Sequence, residues 1–109
     1  EKLLGIKPST DREGCLQDIH WYDGAWGYFP TYTLGAITAA QLFARAKTEK
    51  PEILESIAKG DFEPLMSWLI MNVHSRGCSL STKDLITAAT GEPLNAKFFK
   101  SHLQNRYSD

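Results

Sequence analysis

Residues 14–31 read GCLQDIHWYDGAWGYFPT and residues 32–48 read YTLGAITAAQLFARAKT. In the first stretch Trp21, Tyr22, Trp26, Tyr28 and Phe29 stand among three glycines, with no sustained period of 2 or 3.6. That absence predicts an ordered, irregular loop with one short helical turn. In the second stretch Tyr32, Ala36, Ala39, Phe43 and Ala46 follow a helical spacing, while Leu34, Ile37 and Leu42 place apolar groups on other faces. A helix apolar nearly all round is expected to be buried on every side.

Punctuation predicts the elements that follow. Pro51 suits a first helical position and Gly60 a stop, giving a helix near 51–59. Asp61 can cap a helix whose stripe is Phe62, Leu65, Met66, Leu69, Ile70 and Val73, with Gly77 ending it after Arg76. Ser81 with Asp84 three residues on resembles a capping box, opening a helix to about Thr90 that Gly91 closes. Pro93 and Asn95 lead into a last helix carrying Phe98, Phe99, Leu103 and Tyr107. The expectation is an all-α chain whose first quarter is irregular.

Composition narrows the function classes. The 109 residues suit one domain at most, and 12 Lys+Arg against 13 Asp+Glu leave a net charge of −1. That balance lacks the basic footprint of a nucleic-acid binder or of docking to an anionic membrane. Hydrophobic residues at 42% and charged residues at 23% match an ordinary globular domain, arguing against disorder. No apolar run approaches the roughly 20 residues that span a bilayer, and EKLLGIKPST lacks the shape of a signal peptide. Cys15 and Cys78 supply neither a disulfide framework nor a C-x-x-C metal site, so a reducing, cytoplasmic compartment is expected. A buried central helix needs more neighbours than the short helices after it provide. The chain is therefore expected to associate with copies of itself or to be one end of a larger helical protein.

Chemistry-bearing groups gather between Gly14 and Tyr32. Gln17, Asp18 and His20 are adjacent polar groups beside Trp21, followed by Tyr28 and Tyr32. Titratable groups on a glycine-punctuated loop with aromatic walls are what a concave site requires. Trp26, Phe29 and Pro30 are read as packing, His74 and His102 as ordinary helix histidines, and Cys15 and Cys78 as unreactive. The Lys and Glu of 45–59 read as a solvated face.

Gly14-Cys15-Leu16-Gln17-Asp18-Ile19-His20-Trp21 fits G-x-x-Q-D-x-H-W, and by this motif the chain resembles the carboxypeptidase Taq family of zinc metallocarboxypeptidases. The likeness continues through Gly27-Tyr28-Phe29-Pro30-Thr31-Tyr32-Thr33-Leu34-Gly35 and Ala39-Ala40-Gln41-Leu42. It extends to Ala89-Thr90-Gly91-Glu92-Pro93-Leu94-Asn95, Phe99, His102-Leu103 and Arg106-Tyr107. The family's H-E-x-x-H zinc helix, with two His on one face and a Glu base, is not present. The three histidines, His20, His74 and His102, stand too far apart for it.

The resemblance implies the C-terminal helical segment of a larger, mostly helical, zincin-like peptidase, with 1–31 as an active-site loop segment and 32–109 helical. It implies zinc (or cobalt) in the full-length enzyme, none bound by this segment, and peptide substrates. Partners are then the remainder of the parent enzyme and further copies of the chain, with no nucleic acid or membrane. His20, with Tyr28 or Tyr32, would donate to the substrate or oxyanion; Asp18 or Gln17 would orient His20 or bind substrate, and Trp21 would wall the cleft. A second function class is a stand-alone helical interaction or oligomerisation module derived from that family.

Overall fold

The computed structural model describes residues 2, 3 and 5–108, and among them every regular element is helical. Two compact units are distinguished, Glu1–Tyr32 and Thr33–Asp109. In the first, 3-10 turns at Asp11–Glu13 and Cys15–Gln17 precede one helical turn, α1, Ile19–Tyr22. The long helix α2 runs Pro30–Glu49. The second unit continues with α3 Ile53–Ala58, α4 Glu63–Asn72, α5 Thr82–Thr90 and α6 Lys97–Tyr107.

The caps follow the chemistry of their residues. Ser81 accepts from the Asp84 backbone N–H at 3.2 Å and donates to the Asp84 carboxylate at 2.6 Å, which opens α5. Gly91 closes it at φ +86°, a left-handed conformation that only glycine adopts without strain. The Asp61 carboxylate accepts from Glu63 N–H at 2.9 Å, and Asn95 Oδ1 does the same for Lys97 N–H at 3.0 Å, starting α4 and α6. Two boundaries differ from the sequence reading. Pro51 lies in a turn, with α3 opening at Ile53. The helix expected to reach Gly77 stops at Asn72, because Val73 leaves helical geometry at φ −122° and a 3-10 turn follows over His74–Arg76.

The core of the second unit is Ala46, Ile53 and Trp68, packed by Leu42, Phe43, Ile57, Leu65 and Leu69. Trp68 is 2% exposed, and its indole N–H donates to Glu49 Oε2 at 2.5 Å. Arg45 also bonds the Glu49 carboxylate, from Nε at 2.6 Å. The Trp68 bond, then Arg45, holds that carboxyl below the usual glutamate range. The support it lends is therefore full above the ordinary glutamate pKa and fades as pH falls through the lower folded value.

The apolar stripe expected along α4 is not buried as a whole. Leu65 and Leu69 face the core around Trp68, whereas Phe62, Met66 and Ile70 are exposed. The helix is apolar on more than one side, and this chain covers only one of them. For the same reason α2 is not buried all round. Only its Gln41 and Ala46 are buried, and Leu34 is 51% exposed.

Gln41 is wholly buried and joins α2 to the α5–α6 connection. Its amide nitrogen faces Thr90 Oγ1 at 2.8 Å and the carbonyls of Glu92 and Pro93 at 3.1 Å each. Its oxygen accepts from the Asn95 backbone N–H at 2.8 Å. Glu92 in turn pairs with Lys97 Nζ at 2.7 Å, which is the main cause of its lowered pKa.

Replacing Gln41 with Leu keeps the volume and strands these buried partners. Each such group left unpaired costs about 1–3 kcal/mol, so urea unfolding should show at least that loss. Trp68→Ala should cost roughly 3–5 kcal/mol. A Gln41→Leu change within about 0.5 kcal/mol, the scale of neutral surface substitutions, would refute the role given to the amide.

Candidate active site

The first unit builds its site from one helical turn. Asp18 is the N-cap of α1, and its Oδ1 accepts the His20 backbone N–H at 2.8 Å. The same oxygen lies 2.8 Å from His20 Nδ1. These bonds hold the Asp18 carboxyl below the usual aspartate range, the backbone N–H contributing most and the ring next. An ionised carboxylate can only accept, so Nδ1 carries the proton. Nε2 is left as the nitrogen available to a ligand.

Gly14, Gln17, Asp18, Ile19 and His20 line an open cleft of about 390 Å³. Gly14 is required at its edge, because a Cβ there would meet the Pro8 ring at 2.8 Å. Gln17 shares this cleft but does not orient His20: its amide donates to the Arg12 carbonyl at 2.6 Å, which fastens the preceding turn. Asp18 alone orients the imidazole.

Aromatic rings pack against the His20 ring but do not line that cleft. The His20 ring stacks on Tyr28 at 5.0 Å and 22°, and lies 4.9 Å from Phe29. Tyr28 and Tyr32 meet edge to face at 5.5 Å, with their hydroxyls 3.4 Å apart. Trp21 packs 5.6 Å from Phe29 and 5.4 Å from Trp26. Phe29 thus touches His20, Trp21, Tyr28 and Tyr32, and the packing role read for it describes the hub of the cluster. Trp26 departs from that reading, being 76% exposed, with the Trp21 ring 5.4 Å from its own. Thr31 went unread in the sequence; its hydroxyl donates to the Tyr28 carbonyl at 2.5 Å and fixes the backbone there. The signal for it was its place just after Pro30 at a helix start.

The second unit offers a larger groove, about 420 Å³, whose lining includes Phe43, Lys47, Phe98, His102 and Arg106. Among the described residues lining it there is no carboxylate beside His102, so the acid–base chemistry favours the smaller cleft.

The donor set does not fit a resident metal. Among the described residues, no three His, Cys, Asp or Glu side chains gather as a metal site. His20 is committed to Asp18, while His74 begins a 3-10 turn and His102 lies in α6.

Asp18 is expected to keep capping α1 below the usual aspartate range. A group whose pKa is depressed by folding stabilises fully above its unfolded value, about 3.9, and loses that effect as pH falls through the folded one. Nitrogen-resolved NMR should find Nδ1 of His20 protonated at neutral pH, with the preference lost in Asp18→Ala. Protonation at Nε2 alone in the unaltered chain would contradict the pairing.

The family model for carboxypeptidase Taq (M32) metallopeptidases matches residues 1–107. Carboxypeptidase 1 of Bacillus subtilis is 44% identical over 109 residues, covering 100% of this chain and 22% of its own length. Thermostable carboxypeptidase 1 of Pyrococcus furiosus is 42% identical over 107 residues, covering 98% of this chain and 21% of its own. The solved structure of Trypanosoma cruzi metallocarboxypeptidase 1 superposes with a TM-score of 0.85 at 43% identity, over 97% of this chain and 23% of that one. The chain thus spans about a fifth of the length of the curated relatives it matches. Through the motif around His20 and a match along nearly its whole length, it belongs to the carboxypeptidase Taq metallopeptidase family.

Proposed function

We propose that the chain is one segment of a metal-dependent carboxypeptidase that hydrolyses residues from the C-termini of peptides. In this reading residues 1–31 form an active-site segment, the rest of the parent enzyme holds the metal, and that metal is zinc or cobalt. The observation that carries the reading is the Asp18–His20 pair, tied at 2.8 Å, with His20 stacked on Tyr28.

Attack on a peptide carbonyl puts negative charge on its oxygen, and donors fixed in advance stabilise that charge. With Nδ1–H held by Asp18, the doubly protonated ring donates from Nε2–H. The hydroxyls of Tyr28 and Tyr32 stand in the same cluster. Gln17 lines the cleft where substrate would lie, and Trp21, which the cleft lining does not include, packs against Phe29 behind it.

Two further properties belong to the same proposal. Cys15 and Cys78 are both free and exposed, which suits a reducing compartment such as the cytoplasm. Among the described residues no helix is long and apolar enough to cross a membrane. The chain also exposes Leu34, Phe62, Met66, Ile70 and Met71. Bare apolar surface costs about 25 cal/mol per Å², so covering a few hundred Å² is worth several kcal/mol. The isolated chain should therefore self-associate. Sedimentation of a monodisperse, folded monomer at micromolar concentration, without a dye-binding apolar patch, would refute this.

In the full-length enzyme, His20→Ala should lower kcat by roughly 10²–10³, the scale of losing one oxyanion donor, and leave metal content unchanged. Full kcat would remove the donor assignment, and lost metal would make His20 a ligand instead.

A further inference from the structure

Two helices of the second unit present matched stripes to one groove. On α2, Ala36, Ala40, Phe43 and Lys47 recur at three- and four-residue spacing, the repeat of a single helical face. On α6, Phe98, His102 and Arg106 recur at a spacing of four. The cavity of about 420 Å³ between them adjoins a second of about 340 Å³, and the two share Ala40, Phe43 and His102. Their chemistry differs. The first holds Lys47 and Arg106, and among the described residues lining it there is no carboxylate. The second is apolar apart from His102, with Ala36, Ala39 and Phe99 in its walls. Both cations lie near rings: Lys47 Nζ is 4.8 Å from the Phe43 centroid, and the Arg106 guanidinium 5.7 Å from that of Tyr107. A ring face attracts a cation without neutralising it.

We propose that the α2–α6 groove seats an acidic, amphipathic segment of the parent enzyme from outside these 109 residues, with apolar side chains over Ala39 and Phe99 and carboxylates toward Lys47 and Arg106. The inference rests on the reading of this chain as one segment of a larger enzyme. Its relatives extend well beyond it, since it covers only 21% and 22% of the two carboxypeptidases compared above. The alanines at 36, 39 and 40 put nothing longer than a methyl on that wall, so a second backbone can approach closely. Apolar anchors laid along such a groove are the usual mode of docking a helix. The cations then set its charge, because a carboxylate meets a guanidinium through two parallel hydrogen bonds. A second copy is a poorer occupant. A two-fold contact sets one surface against itself, which would bring Lys47 and Arg106 up to like charges.

Two chemical probes of the full-length enzyme test this. Diethyl pyrocarbonate, which modifies accessible imidazoles, should react with His102 at least about tenfold more slowly in the folded enzyme than after unfolding in urea. A carbodiimide, which joins a lysine amine to an adjacent carboxylate, should link Lys47 to an Asp or Glu outside residues 1–109, as read by mass spectrometry. In a mixture of plain and isotope-labelled enzyme, the two linked peptides should always share one label state, so that both come from the same polypeptide. Lys47→Arg should lose the link and keep His102 protected, whereas Lys47→Glu with Arg106→Glu should raise His102 reactivity toward the unfolded rate. The proposal is overturned by an unprotected His102 in the unaltered enzyme, or by no link at Lys47. A link within residues 1–109, or one between different label states, overturns it as well, the latter in favour of a second copy. Protection that survives the double charge reversal removes the acidic partner. Should that variant fail to fold by circular dichroism, the link in the unaltered enzyme decides alone. The underlying reading fails separately: peptidase activity without the link removes only this inference, and the link in an inactive protein removes only the carboxypeptidase assignment.

Discussion

A fully buried amide, that of Gln41, meets four partners contributed by Thr90, Glu92, Pro93 and Asn95, and the second unit is organised around that requirement. The α5–α6 connection passes over the middle of α2 with backbone groups that helical hydrogen bonds no longer satisfy. An apolar side chain at position 41 would fill the space and leave those groups dry and unpaired. An amide has both a donor and an acceptor end, so it can close the ladder at a carbonyl and at an N–H together. Thr90 extends the network by donating to the Ile86 carbonyl while it accepts from Gln41. Asn95 carries it onward, since its own side chain starts α6. A single long-range contact thereby fastens the α5–α6 connection to the middle of α2.

What could be read beforehand divides along sequence separation. The Ser81–Asp84 box, the Gly91 stop and the Asp61 cap involve residues two to four apart or single backbone conformations, and sequence carries such information directly. The burial of Trp68 does not follow from spacing. Several faces of α4 are apolar, and only the packing of α2 and α3 selects the one holding Leu65, Trp68 and Leu69. Gln41 was visible only as part of Ala39-Ala40-Gln41-Leu42. Nothing local announces that a polar residue in an apolar helix pairs with a loop some fifty positions away.

The aromatic segment follows the same division. Asp18 and His20 are two residues apart, and N-cap geometry brings both the backbone and the ring of His20 onto one carboxylate oxygen. Tyr28 and Tyr32 are four apart across the start of α2, the spacing that puts side chains over one another. The meeting of these two local pairs was not legible. It depends on the turns at Ala25 and Tyr28, where the Ala25 N–H donates to the His20 carbonyl at 2.9 Å and the Tyr28 N–H to the Ala25 carbonyl at 3.2 Å. Those bonds fold residues 20–28 back on themselves and set the Tyr28 ring against the imidazole.

This construction holds polar groups steady beside the open cleft at His20. Electrostatic stabilisation of a developing charge depends on donors that need no rearrangement when the charge appears. Here His20 is held by a bond to Asp18, while the Tyr28 ring packs against those of His20, Phe29 and Tyr32. Long side chains free in solvent would have to surrender rotamer entropy at each turnover. Short-range caps and ring stacking impose that cost once, during folding. The arrangement also accounts for the density of aromatic residues over 21–32, since Phe29 and its neighbours are the rigid backing against which the polar atoms are aimed.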